Sequence, residues 1–192
     1  MANVKLSQRE LDLVTNTDFI LTKNNIITKV FDLFGDLSEF EIKTANNFLD
    51  NEIKMISPKI SKGENYEGLP WVMLDYPRYF TAKDVFAIRS YFWWGNYFSV
   101  TLHLKGKFKE RFQAASFKSQ ERRDWFLCCN EDEWQHHFRK DNYKLMSEFS
   151  EEEIQQLSFI KLAKKIPLHR WNDAEIFLKE SFETMLELLQ KK

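Results

Sequence analysis

Val85-Phe86-Ala87-Ile88-Arg89-Ser90-Tyr91-Phe92-Trp93-Trp94-Gly95-Asn96-Tyr97-Phe98-Ser99-Val100-Thr101-Leu102-His103-Leu104 decides how the chain is read. Two runs rich in β-branched and aromatic residues flank Gly95-Asn96, the pattern of a β-hairpin. Its register matters, because a slip of one residue turns every side chain to the opposite face. A two-residue loop would set Trp93 opposite Phe98 and Arg89 opposite Leu102, spoiling the alternation. A three-residue loop, Trp94-Gly95-Asn96, sets Phe86, Ile88, Ser90 and Phe92 opposite Leu104, Leu102, Val100 and Phe98, so one face becomes almost wholly apolar. Gly and Asn suit that loop because they tolerate the left-handed backbone it needs.

The same register puts Trp93 across from Tyr97, Tyr91 from Ser99, Arg89 from Thr101 and Ala87 from His103 on the other face. Diagonal neighbours are within reach of long side chains, so Arg89 and His103 can cooperate. Arg89, Tyr91, Trp93, Tyr97, Thr101 and His103 are therefore the candidate ligand-binding residues, a cation, an imidazole, a hydroxyl and aromatic rings suited to an anionic or planar ligand. The plainer alternative is a face half-covered by a helix or loop, with Arg89 stacked on a ring.

Working outward, Gly68-Leu69-Pro70 precedes Trp71-Val72-Met73-Leu74-Asp75-Tyr76, and Pro77 follows, so a short strand between breakers is expected to join the hairpin. Thr81-Ala82-Lys83-Asp84 reads as a helix start, giving a rival in which residues 82–91 are helical. Residues 58–69 have a loop's composition and are expected as a surface loop or lid. Lys62-Gly63-Glu64-Asn65-Tyr66-Glu67-Gly68 is not a phosphate-binding loop, because no Lys and Ser/Thr follow its second glycine.

On the N-terminal side, Ser7-Gln8-Arg9-Glu10 is a capping box opening a short helix. Phe19, Ile20, Ile26, Ile27, Val30, Phe31 and Phe34 recur with helical spacing, and Gly35 reads as a stop. Ser38-Glu39-Phe40-Glu41 reads as a second capping box for a helix running toward Pro58. The six acids between residues 32 and 52, Glu41 among them, fit a solvated helical face.

Residues 105–123 carry Lys105, Lys107, Lys109, Arg111, Lys118, Arg122 and Arg123 against Glu110 and Glu121, a local balance of +5. An amphipathic helix is expected there, with nucleic-acid binding as an alternative function. Trp125 to Cys129 and Trp134 to Phe138 read as two further strands around Asn130-Glu131-Asp132-Glu133, with Cys128 facing His136. A thiol beside an imidazole permits an enzyme built on Cys128, His136 or His137. No metal is expected, since a zinc site needs three or four ligands and adjacent histidines on a strand point to opposite faces. No cofactor fingerprint is present.

Ser150-Glu151-Glu152-Glu153 is a third capping box, with Ile154, Leu157, Leu162 and Ala163 behind it and Pro167 after, so residues 151–165 are expected to be helical. Asn172-Asp173-Ala174-Glu175 opens a last helix whose Leu178, Phe182, Met185, Leu186 and Leu189 form one apolar stripe. Gly68-Leu69-Pro70 before a strand, the aromatic hairpin, and Phe149-Ser150-Glu151-Glu152-Glu153 opening a late helix together resemble the layout of uncharacterised bacterial α+β proteins of the YktB type. The likeness spans about residues 38–165. It implies a fold and no catalytic residues.

The 192 residues, 43% of them hydrophobic, are the usual size of one domain with a real core. Residues 1–192 are expected to form it, helical over 1–57, sheet-rich over 58–146 and helical over 147–192. A formal net charge of −1 argues against bulk attraction to nucleic acid or an anionic membrane. The N-terminus lacks a signal peptide's apolar centre, no run is long enough to span a bilayer, and the two cysteines are adjacent, so a cytoplasmic protein with reduced thiols is expected. The expectation is thus an α+β domain with an antiparallel sheet of about four to six strands and N- and C-terminal helices mainly on one side. Its expected function is non-enzymatic binding of a small molecule or protein partner through the aromatic and polar sheet face. An enzyme using the same face or Cys128 and His136 is the alternative.

Overall fold

The structure, a computed structural model, describes residues 4–112 and 124–189. Its centre is one seven-stranded antiparallel sheet of order β1-β2-β3-β4-β7-β5-β6, larger than the four to six strands expected. The strands are β1 (Lys59–Tyr66), β2 (Leu69–Phe80), β3 (Val85–Trp93), β4 (Tyr97–Lys105), β5 (Phe126–Cys128), β6 (Tyr143–Leu145) and β7 (Phe159–Pro167). The hairpin forms in the three-residue-loop register, with Phe92 opposite Phe98, Ile88 opposite Leu102 and Trp93 opposite Tyr97. Gly95 takes the left-handed backbone, φ 72°.

The α-helices of the described residues are α1 (Gln8–Thr15), α2 (Thr17–Ala45), α3 (Asn51–Lys54), α4 (Glu151–Gln156) and α5 (Ala174–Glu187). The apolar hairpin face, including Phe86, Ile88, Phe92, Phe98 and Leu102, packs against Val30, Phe34 and Leu37 of α2 and Leu178, Phe182 and Met185 of α5. Burying side chains of this size stabilises by roughly 1.5–3 kcal/mol each, which makes this layer the main source of stability.

Two of the capping boxes work as expected. Ser7 Oγ accepts from the Glu10 amide at 3.3 Å while the Ser7 amide donates to Glu10 Oε2 at 2.7 Å, and Ser150 and Glu153 do the same at the start of α4. The third does not. α2 runs straight through Gly35 and Ser38, and the Ser38 hydroxyl donates back to the Gly35 carbonyl inside the helix. The buried positions Val30, Phe34, Leu37, Glu41 and Ala45 stay in helical phase across the glycine, and packing along that stripe outweighs its cost of about 1 kcal/mol.

Residues 58–69, expected as a loop, form β1, which pairs with β2 through Ile60 opposite Leu74 and Lys62 opposite Val72. β2 does not stop at Pro77; it continues to Phe80 beyond a register shift between Asp75 and Arg78. Proline is tolerated there because β1 pairing begins at Asp75, leaving no neighbour on that side for the missing N–H. The Thr81 cap is real, since Thr81 Oγ1 accepts from the Asp84 amide at 2.9 Å, but it closes the turn from β2 to β3 rather than starting a helix.

Residues 159–165, read as the end of a helix, lie in β7 between β4 and β5. Ile160, Leu162 and Ile166 face the helical layer while Phe159, Lys161 and Ala163 face the opposite side, so a strand buried on both faces shows no clean alternation. The hairpin expected over 125–138 is also absent. β5 pairs with β6 and β7, and residues 134–138 are in no strand. Asn130 Oδ1 accepts from the Asp132 amide and Asp132 Oδ1 from the Trp134 amide, local bonds that favour turns over a ladder. Of the basic stretch, Gly106–Arg111 forms a 3-10 helix with Phe108 buried; Lys118, Arg122 and Arg123 lie outside the described residues.

Candidate functional site

The face of the sheet opposite the helices carries Arg89, Tyr91, Trp93, Tyr97, Thr101 and His103 side by side. Pairing extends their rows across the sheet. Asp75, Arg89, Thr101, Ala163 and Phe126 form one row, and Ala87, His103 and Lys161 the next. Across this face runs a cover segment, residues 129–142, which joins β5 to β6 without regular structure.

The cover is held by the face's own polar groups. Glu133 meets His103 Nε2 at 2.9 Å and accepts from Lys105 Nζ at 2.6 Å, and Lys161 Nζ donates to the carbonyls of Glu133 and Gln135. The Tyr97 hydroxyl donates to the His136 carbonyl at 3.0 Å, and Tyr66 Oη accepts from the amides of His136 and His137 at 2.8 and 3.1 Å. Arg139 forks onto Glu67, with Nη1 2.7 Å from Oε2. The His136 ring packs 5.0 Å from Tyr91 and 5.4 Å from Tyr66, while Phe138 stacks on Tyr143 at 4.5 Å.

Beneath the cover, Arg89 forms a two-pronged pair with Asp75, Nε to Oδ1 at 2.7 Å and Nη2 to Oδ2 at 3.1 Å. Thr101 hydrogen-bonds Tyr143. Burial, with the Lys161 charge beside it, lowers His103 to about 4, and burial lowers Lys161 to about 8. Burial also holds His136 well below the ordinary imidazole range and lowers His137, and it raises the phenols of Tyr91 and Tyr97. The Tyr91 hydroxyl and His137 Nδ1 are buried with no hydrogen-bond partner among the described residues.

The structure thus gathers all six expected residues on one face and puts them under a cover. Cys128 and His136 are engaged separately. Cys128 Sγ donates to Asn142 Oδ1 at 3.4 Å, and burial raises its thiol, which keeps it protonated at neutral pH. Among the described residues no group of three or more His, Cys, Asp or Glu side chains is placed to hold a metal ion.

Sequence reasoning missed Asp75, Glu133, Lys161 and Tyr66. Asp75 was within reach of the β2–β3 register, whereas Lys161 was hidden by the helical reading of its strand. Glu41, grouped with solvated acids, is buried against Ser90 Oγ at 3.4 Å, with its carboxyl pushed well above the ordinary range by desolvation.

A second surface lies away from the sheet. Every residue from Val4 to Thr22 is exposed, although α1 and the start of α2 are helical. Leu6, Leu11, Val14, Phe19, Ile20 and Leu21 show 46–70% of their surface to solvent. The arm joins the body at Ile26 and Ile27, near the Lys23–Glu64 ion pair. There an open groove of about 480 Å³, lined by Asn24, Ile27, Thr28, Phe31 and Lys62, separates α2 from β1.

No helix among the described residues is long and apolar enough to cross a membrane. Comparisons with protein-family models, with curated proteins and with solved structures found no match to this chain.

Proposed function

We propose that this chain is a non-enzymatic interaction protein that docks a partner through its helical arm, residues 4–22. The observation that carries the reading is that the apolar pattern of α2 continues past the edge of the core. Phe19 and Ile20 extend the series Ile26, Ile27, Val30, Phe34, yet each is about half exposed and neither packs on the core formed by the described residues. Contiguous exposed apolar surface of this kind marks an interaction site on a soluble fold. On the sheet face, by contrast, Tyr97, His103 and Lys161 are engaged in holding the cover and Arg89 is paired with Asp75. A photo-crosslinking side chain at Ile20 is expected to give a defined protein adduct in the native host, absent when the same group replaces exposed Asn172. Equal or no adducts at the two positions would remove the reading.

A second reading keeps the sheet face as a ligand site exposed when the cover lifts. What favours it is that two buried atoms, Tyr91 Oη beneath the cover and His137 Nδ1 within it, have no hydrogen-bond partner among the described residues. A native mass spectrum of gently purified protein carrying a small molecule of defined mass, lost in Tyr91→Phe, supports it. A bare chain counts against it.

A further inference from the structure

We propose that the end of the sheet face where Phe80, His103 and Lys105 meet Trp134 of the cover is a site for a mononucleotide, and that the Glu133 carboxylate occupies the position its phosphate would take. This rests on the second reading, of the sheet face as a ligand site, and adds the class of the ligand. Three observations argue for it.

The first is a separation of charge between the sheet and its cover. Strand pairing places Lys59, Arg78, Arg89, Lys105, Lys161 and Lys165 on the cover side, and Asp75 is the one acid it places there among the described strands. These are six of the chain's 28 basic residues against one of its 29 acids, in a chain of formal net charge −1. Arg89 is paired with Asp75, so the other five have no carboxylate from the sheet. The Lys161 ammonium rests on backbone carbonyls, and that of Lys165 lies 4.7 Å from the Phe138 ring centre and 5.4 Å from that of Tyr97. The cover supplies the opposite sign, with Glu131, Asp132 and Glu133 in succession. A face of one sign between low-dielectric walls draws in a ligand of the other.

The second is the contact made by Glu133. One carboxylate oxygen lies 2.9 Å from His103 Nε2 and the other accepts from Lys105 Nζ at 2.6 Å. Two phosphate oxygens can take the same two donors. His103 is only 5% exposed and its ring packs 5.6 Å from Phe159, so the donor is fixed in place before a ligand arrives. Lys161 donates to the Glu133 carbonyl, and Arg78 lies in the same cross-strand row as His103. Three cations and an imidazole thus converge where Glu133 brings a single charge, which favours the nearly doubly charged phosphate over another carboxylate.

The third is the pair of rings beside that contact. Trp134 and Phe80 lie 6.1 Å apart between ring centres yet remain 49% and 37% exposed, and the Trp134 ring lies 5.7 Å from that of His103. A base can stack on this open aromatic surface while its phosphate replaces the carboxylate.

Equilibrium dialysis of the full-length chain against AMP, adenosine and inorganic phosphate, at neutral pH and low salt, tests the proposal. Glu133→Gln removes the competing charge and keeps its shape. It is expected to bind AMP at least tenfold more tightly than the wild type does, and at least tenfold more tightly than it binds adenosine or phosphate. Adding Lys105→Gln or Trp134→Ala should reverse the gain. In the wild type, AMP should quicken amide exchange over residues 131–135, the reverse of the protection given by a ligand that leaves the cover in place. AMP binding indifferent to Glu133→Gln, no preference for AMP over its two parts, or unaltered or slowed exchange in the wild type would overturn the proposal. If Glu133→Gln does not fold, the wild-type exchange measurement decides alone. If AMP does not bind while a different molecule appears in the native mass spectrum and is lost in Tyr91→Phe, the nucleotide assignment falls and the sheet face remains a ligand site. If neither is seen, both fall.

Discussion

Arg89 on β3 and Asp75 on β2 face each other in neighbouring strands and close a two-pronged ion pair beneath the cover segment. With side chains only 14% and 10% exposed, neither charge has water to fall back on. Arg89→Ala therefore leaves a buried carboxylate unpaired, and a loss of about 3–5 kcal/mol of unfolding free energy is expected in urea titration. Were Arg89 a ligand contact on an open face, the same change would leave the unfolding midpoint nearly unmoved.

Lys161 makes a parallel prediction about the cover. Its ammonium donates to two backbone carbonyls of the cover, and removing it by Lys161→Met leaves both acceptors without that donor. Each unsatisfied buried group costs about 1–3 kcal/mol. Amide hydrogen exchange over residues 129–142 should quicken while β3 and β4 stay protected. Uniform quickening across the sheet would mean that the cover is not a separate unit of stability.

The histidines set the pH dependence. His103, His136 and His137 all have folded values below the ordinary 6.5, with burial as the first cause in each. Beside them stand the charges of Lys161, Arg89 and Arg139, with Glu133 acting the other way on His103. The unfolded chain takes up these protons first as pH falls. The histidines' contribution to stability is therefore full above about pH 6.5 and declines toward pH 4, by an amount on the order of 3 kcal/mol for His103 alone. Urea midpoints measured across this range should fall steadily, and the decline should be shallower in His103→Gln. A flat profile would contradict the account.

The hairpin and its register were legible because Gly95-Asn96 and the alternation of Phe86, Ile88, Phe92 against Phe98, Leu102, Leu104 specify the same pairing twice, by turn chemistry and by burial. The polar face followed from that register. What covers the face was not legible. The cover is irregular, and Lys161 and Glu133, which fasten it, are 28 residues apart. β7 was misread because a strand buried on both faces lacks a period of two, and the capping box before it did start a helix, though one only six residues long. The arm was visible only as helical periodicity, because a sequence shows an apolar stripe without showing whether anything packs on it.

Glu41 gives a prediction of opposite sign to the histidines. Its carboxyl is raised by desolvation, so its proton is bound more tightly folded than unfolded, and the group costs stability as pH rises above about 4.5. Glu41→Gln keeps a polar group beside Ser90 without a charge. It should raise the urea midpoint at mildly alkaline pH and leave it unchanged in acid. A lower midpoint at both would show that the carboxylate is compensated in a way the Ser90 contact does not explain.

That the arm is where this chain meets a partner is tested most directly by a crosslink within it. A photo-crosslinking side chain at Ile20 is expected to give one defined protein adduct in the native host and none when it replaces exposed Asn172. Equal adducts at the two positions, or none at Ile20, would contradict it.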